Sequence, residues 1–325
     1  MAKSFLRVLV SLGFVGLLVY FVRDDIPTIL NTLKNVNRPL FFLAVAIFFS
    51  TVLILAKRLQ LIFAAEDVKI SLGATCNLTF IGYFFNNFLP TSVGGDIVKA
   101  MCASRITGQP VKSVTSVLMD RIFGLFTFIL IPSVSLFFVS EMNPKVRIVV
   151  YSFLAFSIFC FFLLFNRSLA RRFHFIEKLL NRIRLGTKVR RIYDGLHNFR
   201  NHRGVIVRAM GLSILGQSVS LFVIYLMGVA LGAPRESLPY FFLLIPVVHL
   251  ISMLPSLNGL GIREVAYVYF LKNHIGTEKA AAVGILWLAI LIFLSLIGGL
   301  IYLFRHEYNI QFKKAVSKAG EVEAR

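Results

Sequence analysis

The sequence predicts an all-α polytopic membrane protein, with about six full spans and two oppositely oriented re-entrant helical hairpins in an inverted repeat. Of its 325 residues 57% are hydrophobic and only 15% are charged, whereas a soluble domain carries roughly 25% charged residues. Several apolar runs also exceed the ~18 residues needed to cross hydrocarbon. The repeat is indicated by residues 89–99, LPTSVGGDIVK, which have a counterpart in residues 254–264, LPSLNGLGIRE.

Apolar runs place the six spans. Residues 8–22 are expected to form an uncleaved first span with a cytoplasmic N-terminus, because no small-residue cleavage site follows them. The second span, 40–56, is expected to close at Lys57 and Arg58. The remaining spans are 114–139, 146–165, 205–231 and 281–304.

Positive charge orients these spans. Residues 166–204 carry 11 Lys/Arg against two acidic residues, so the positive-inside bias makes this loop cytoplasmic. When the spans are counted back from this loop, residues 71–105 enter the membrane from the cytoplasm and return to it. When they are counted forward to the cytoplasmic tail, residues 239–271 enter from outside. This topology places 25 of the 35 Lys/Arg inside, 8 outside, and two, Arg121 and Arg263, at membrane depth. Both termini, including the tail 305–325, are then cytoplasmic.

The chain is expected to form one integral membrane domain, 1–325. Residues 40–139 form the first repeat and residues 205–304 the second. An inverted repeat with Gly/Pro-interrupted segments at matching positions indicates a transporter with a midplane site. The alternative is a structural membrane protein with two unrelated loops.

The loop 166–204 has apolar residues at helical spacing with arginines between them. This pattern predicts two basic amphipathic helices on the inner leaflet, bound to anionic membrane phospholipids. A solvated loop that only sets topology is the alternative. A nucleic-acid partner is not expected, although the net charge is +20, because no recognition motif accompanies the charge.

The hairpin tips offer groups that bind anions. Gly94 and Gly95 would let the backbone approach a ligand closely, and Asp96 is expected to N-cap the helix that follows. A helix beginning there directs its N–H groups and positive dipole end toward a ligand, which favours phosphate, and Lys99 adds a cation. The second tip offers a corresponding set: Asn258, Gly259, Gly261, Arg263 and Glu264.

Two further charges, Asp120 and Arg121, lie within an apolar span. A charge at mid-bilayer costs roughly 2.5–3.5 kcal/mol, so such residues usually face partners or water. Either Arg121 pairs with Asp96 and locks the first hairpin, or it contacts a headgroup, and both can hold. His249 is isolated in the sequence and is expected to be satisfied or solvent-facing. No metal-ligand or nucleotide-binding pattern occurs, so no cofactor is expected.

Three segments together resemble a known family: FLPTSVGGDIVK, MDRIFG at 119–124 and LPSLNGLGIRE. They are similar to the membrane region of lysylphosphatidylglycerol synthases and of its stand-alone, flippase-like relatives. By this resemblance the family's motif positions are Gly94, Gly95, Asp96, Asp120, Arg121, Gly124, Gly259, Gly261, Arg263 and Glu264. Lys99 stands where the family usually has Arg, which weakens any bidentate phosphate contact there.

The resemblance implies a lipid flippase-like transporter of a bacterial inner membrane. Its expected substrate is a phosphate-containing amphiphile, with aminoacylated or otherwise cationic headgroups included. The family's aminoacyl transferase activity resides in a separate soluble domain, which is not expected here, so the chain is not expected to be an enzyme. The alternatives are a membrane-embedded enzyme with Asp96 or Glu264 as base, or an accessory subunit that joins envelope-lipid biosynthesis enzymes. A homo-oligomer is a further option.

Overall fold

The protein is built from long apolar α-helices. The computed structural model describes residues 23–89, 93–139, 144–165, 195–253 and 259–308, and these ranges contain no strand. In chain order the α-helices are α1 (Ile26–Lys34), α2 (Arg38–Ala65), α3 (Leu72–Phe88), α4 (Gly94–Thr107), α5 (Pro110–Ser135), α6 (Pro144–Phe165), α7 (Arg203–Ala230), α8 (Leu238–Ile251), α9 (Ile262–Ile275) and α10 (Thr277–Phe304). The predicted all-α class is confirmed for the described part of the chain.

Four helices are long and apolar enough to cross a membrane: α2, α5, α7 and α10. Each coincides with a predicted span, so the membrane class is confirmed. The predicted span 8–22 lies outside the described residues. The predicted span 146–165 falls in α6, where the apolar stretch found, Val150–Phe161, is shorter than a full span.

The prediction for the end of the second span is wrong. Instead of closing at Lys57 and Arg58, α2 continues to Ala65, because apolar residues after Arg58, such as Ile62 and Phe63, are fully buried in the bundle. At 1.5 Å per residue, Arg58 lies about 10 Å from the end of its helix. Its exposure is 6%, so it lies within the bundle, where Lys99, Arg121 and Arg263 line the same cavity.

Two runs of four helices share one order of lengths, long–short–short–long: α2–α5 and α7–α10. The runs interlock, since α2 packs on α7, α3 on α10 and α5 on α8. Helices α2 and α7 run antiparallel. At one end the Asn37 N–H donates to the Ala230 carbonyl (2.9 Å), and toward the other end Arg58 Nη1 donates to Ser213 Oγ (2.7 Å).

The largest apolar core joins both runs of helices, and Phe48, Leu221, Phe241, Tyr267 and Trp287 all belong to it. Small residues let the backbones approach closely, as is common between membrane helices. A Cβ on Gly298 of α10 would lie 2.0 Å from the carbonyl oxygen of Phe80 in α3. These two helices are therefore in backbone contact.

Most of the basic loop, residues 166–194, lies outside the described residues. At its end, Leu196 and Phe199 belong to the predicted apolar face, and both are buried in a cluster with Ile62 and Phe123. These two residues thus pack against α2 and α5. In the tail 305–325 only the first four residues are described, and there Tyr308 accepts a hydrogen bond from Asn77 Nδ2 (3.2 Å).

Candidate functional site

A polar cavity of about 290 Å³ lies where the two runs of helices meet. Arg58, Lys99 and Arg121 line it from the first run, and Arg263 lines it from the second. Its volume falls at the small end of the ~300–1,000 Å³ typical of ligand sites. The cavity therefore has room for a small polar group rather than for a whole lipid.

Arg58 makes a short ion pair in the cavity wall. Its Nε donates to Asp120 Oδ1 at 2.7 Å, while Nη1 donates to Ser213 of α7. Both charged side chains are less than a tenth exposed, so each charge depends on the other for compensation. Gly124, one turn beyond Asp120, lies beside the guanidinium: a Cβ there would be 3.9 Å from Arg58 Nη1, an ordinary van der Waals contact.

Asp96 is shared by two cations. Arg121 Nη1 donates to Asp96 Oδ2 at 3.1 Å, which is the pair expected from the sequence. Lys99 Nζ lies 3.5 Å from Asp96 Oδ1 and 3.9 Å from Asp120 Oδ2. Lys99 therefore links two carboxylates as a point charge, a role that a planar guanidinium would fill differently.

The predicted N-cap role of Asp96 is wrong. Helix α4 begins at Gly94 after Val93, so Asp96 lies in its first turn and makes no cap bond. An acidic side chain in this turn is favoured by the helix dipole, and its carboxylate turns toward Arg121 and Lys99.

Gly95 serves helix packing rather than ligand approach. A Cβ on Gly95 would lie 2.2 Å from the Gly82 carbonyl oxygen and 2.6 Å from the Asn86 side chain. Its N–H donates to Asn86 Oδ1 (2.9 Å), so this N–H is already used within the protein. The glycine thus lets α3 and α4 pack in close contact, contrary to the expectation that it leaves the backbone open to a ligand.

At the second helix break, two glycines adopt backbone angles that other residues rarely adopt. Gly259 has φ 76° and Gly261 has φ 81°, values at which a Cβ would be strained. The Gly261 N–H donates to Glu264 Oε2 (2.7 Å), and Arg263 donates to Glu264 Oε1 from Nε and Nη2 (3.1 and 3.0 Å). Glu264 therefore caps its own helix and neutralises Arg263. The predicted site residue Asn258 lies outside the described residues.

His249 is half-buried and matches its expectation only in part. It lines the cavity, and its Nε2 is buried without a hydrogen-bond partner there. Phe128 contacts the ring edge-on, and Trp287 stacks on it.

Sequence reasoning also missed Arg58, Thr51 and Gln217, which line the same cavity. For Arg58 the available signal was the apolar run that continues after it. Thr51 and Gln217 carry no signal beyond being polar residues in apolar helices.

A second, apolar groove of about 490 Å³ lies between α5, α7 and α8. Leu130 and Val134 line it from α5, and Leu238 and Phe242 line it from α8. The same three helices contribute Phe128, Gln217 and His249 to the polar cavity. A polar and an apolar compartment thus share one set of helices.

The charge at the cavity favours an anion. Four cations, Arg58, Lys99, Arg121 and Arg263, stand against three carboxylates, Asp96, Asp120 and Glu264. This leaves one positive charge in excess, inside a bundle where charges are weakly screened. The described residues contain no group of three side chains that could hold a metal ion.

The sequence matches a known protein family. Residues 4–299 match the family described as the lysylphosphatidylglycerol synthase TM region, in agreement with the motifs at both helix breaks and at Asp120 and Arg121. No curated protein and no solved structure matches the chain. The match covers most of the sequence, so the chain belongs to the lysylphosphatidylglycerol synthase transmembrane-region family.

Proposed function

We propose that the protein is a lipid flippase-like transporter that moves a phosphate-containing amphiphile between the leaflets of a bacterial inner membrane. One observation carries the proposal: cations from both runs of helices line one cavity between apolar, membrane-length helices. A phosphate there would form charge-assisted hydrogen bonds, which are roughly twice as strong as neutral ones. No chemical step on the lipid is part of the proposal, so the protein is not proposed to be an enzyme.

Alternating access requires two halves that can rearrange around one site, and an inverted repeat supplies them. The antiparallel packing of α2 on α7 is what a two-fold axis in the membrane plane would produce. The same axis would exchange the pair α3 and α10 with the pair α8 and α5, and both pairs are in contact. In this proposal α3–α4 and α8–α9 are the two re-entrant hairpins.

The apolar groove between α5, α7 and α8 supports a lipid substrate rather than a free phosphate. A lipid must keep its acyl chains in an apolar environment while its headgroup occupies a polar one, since exposing each buried CH₂ costs about 0.8 kcal/mol. His249 and Phe242 lie on the same short helix, α8, one at the cavity and the other at the groove. A headgroup in the cavity would therefore leave its chains close to this groove.

Transbilayer movement of a fluorescent phosphatidylglycerol in proteoliposomes, with a quencher outside, tests the proposal. Lys99→Gln is the informative change, because the ion pairs Arg121–Asp96 and Arg58–Asp120 remain in that variant. Loss of one charge-assisted hydrogen bond, worth about 1.5–3 kcal/mol, should slow movement at least about tenfold. Lys272→Gln makes the same charge change at an exposed position on α9 and should leave the rate unaltered.

The proposal is wrong if wild-type protein moves lipid no faster than empty liposomes. It also fails if folded Lys99→Gln protein matches the wild-type rate, because the charged cavity would then take no part. The topology is tested separately with single cysteines after replacement of the native ones. A cysteine at Thr107 should react only from the cytoplasmic side and one at Arg235 only from outside, and outside labelling at Thr107 would exclude the first re-entrant hairpin.

A further inference from the structure

The short helix α1, which lies just before α2, is amphipathic. Its four apolar side chains recur at the spacing of one helix face: Ile26, Ile29, Leu30 and Leu33. The other side of the helix carries polar side chains: Thr28, Asn31 and Thr32. A helix of nine residues is too short to be stable in water by itself. The helix therefore depends on what its apolar face contacts.

One flank of this face packs on the bundle. Ile29 is 5% exposed and forms a cluster with Val268 of α9 and Ala281 of α10. Leu33 packs against the same cluster. These contacts fix α1 beside the end of the bundle where α9 ends and α10 begins.

The other flank of the face is not covered by the protein. Ile26 is 40% exposed and Leu30 is 53% exposed. Both belong to the same apolar face as the buried Ile29, so the uncovered part continues directly from the covered part. Large apolar side chains opposite a polar face are typical of a helix that lies in the interface of a membrane.

The contacts of α1 also set its depth in the bilayer. Lys272 near the end of α9 and Lys279 near the start of α10 mark the polar ends of these helices. Val268 lies four residues inside Lys272 and Ala281 lies two residues inside Lys279, which is about 6 Å and about 3 Å at 1.5 Å per residue. Interfacial helices bury their apolar face about 5–10 Å into the boundary between headgroups and acyl chains. The position of α1 matches this level.

Two neighbouring side chains have the chemistry of the same level. Tyr269 follows Val268 on α9 and is 67% exposed, and tyrosine is enriched where lipid meets water. Lys34 at the end of α1 is exposed. A lysine there can keep its stem along the apolar surface while its ammonium group reaches the headgroups.

From these observations we infer that α1 is an interfacial helix, which lies along the leaflet surface at this end of the bundle with Ile26 and Leu30 among the lipid chains. In the proposed topology this surface is the outer leaflet. Through Ile29 the helix joins the surface to α9, the second half of the second proposed hairpin. The partner is the bilayer surface itself, and the inference does not depend on lipid transport.

Quenchers placed at different depths test this position. The full chain, with its native cysteines replaced, carries a bimane fluorophore on a single cysteine in phosphatidylethanolamine–phosphatidylglycerol vesicles. The quenchers are lipids with a doxyl group near the headgroup or near the chain end, and iodide on both sides of the vesicles. Bimane at Leu30→Cys should lose more fluorescence to the shallow doxyl lipid than to the deep one, and little to iodide.

Two matched positions provide the controls. Asn31→Cys lies on the polar side of α1 and is exposed, so its fluorophore should lose most fluorescence to iodide. Leu53→Cys lies in the middle of α2 and is 55% exposed, so its fluorophore should respond most to the deep doxyl lipid. Ile26→Cys repeats the measurement one turn from Leu30, should the Leu30 variant fail to fold.

Three outcomes would overturn the inference. Iodide quenching at Leu30 as strong as at Asn31 would place α1 in water. Stronger quenching by the deep doxyl lipid would place it in the hydrocarbon rather than at the interface. Protection from all three quenchers would show that another part of the protein covers the face. None of these outcomes decides whether the protein transports lipid.

Discussion

Removal of Arg58 is the sharpest test of how the site is held together. Arg58→Met keeps the apolar stem but removes the bonds to Asp120 and Ser213, both 2.7 Å long. Two charge-assisted bonds at about 1.5–3 kcal/mol each agree with the roughly 3–5 kcal/mol lost when one partner of a buried ion pair is removed. We expect the free energy of unfolding in detergent to fall by about this amount.

The double variant Arg58→Met with Asp120→Asn provides the control, because it removes the carboxylate that the single change leaves uncompensated. The double change should cost at least about 1 kcal/mol less than the sum of the two single changes, because contacting residues couple by about 0.5–3 kcal/mol. Arg305→Met, which breaks the exposed pair with Glu307 (3.6 Å), should cost less than ~1 kcal/mol. Strict additivity of the Arg58 and Asp120 changes would refute the buried pair.

Three further outcomes follow from the described contacts. Arg121→Ala and Asp96→Ala should couple in a double-mutant cycle measured by thermal unfolding, and purely additive losses would show that their 3.1 Å contact carries no energy. Gly95→Ala should destabilise, because its Cβ would meet the Gly82 carbonyl, whereas Gly73→Ala meets nothing within 4 Å and should stabilise α3 by up to about 1 kcal/mol. Equal effects of these two changes would contradict the helix crossing. Burial raises the pKa of the Glu66 carboxyl, at the end of α2, above its ordinary 4.5 and outweighs the lowering by Lys112 and His202. The folded state then favours protonated Glu66, so this contribution to stability is complete below pH 4.5 and is lost as the pH rises through the raised pKa. Glu66→Gln should therefore unfold at a higher temperature than wild type at neutral pH and at the same temperature below pH 4.5, and a pH-independent difference would contradict this assignment.

The helices were predictable because hydropathy depends on each segment alone. The runs that became α5, α7 and α10 stand out in the sequence, and the capping glycine after α4, Gly108 at φ 69°, marks a helix end as its residue type suggests. The Arg121–Asp96 pair could also be anticipated, since an arginine within an apolar span needs an acidic partner and few are available.

The role of Arg58 was not predictable from its local sequence. A Lys-Arg pair after an apolar run is typical of a membrane interface, and only the packing of α7 shows that Arg58 faces Ser213. The function of Gly95 depends on Gly82 and Asn86 of another helix in the same way. A glycine is compatible both with an approaching ligand and with an approaching backbone, and the sequence does not distinguish them.

The bonds of Arg58 also constrain the order of events during biosynthesis. Asp120 follows Arg58 by 62 residues and Ser213 follows it by 155, so α2 leaves the ribosome well before either partner exists. An isolated arginine costs roughly 2.5–3.5 kcal/mol on insertion. An 18-residue window of α2 has a mean hydropathy of 2.6, against 1.8 for α5, so α2 is better able to insert with an uncompensated charge. When helix α5, which carries Asp120 and Arg121, enters the bilayer, Arg58 is already there and can pair with Asp120. The first half of the chain thus provides the counter-charge that lets its least apolar span integrate, and a translocon assay of α5 should show poor insertion unless α2 precedes it.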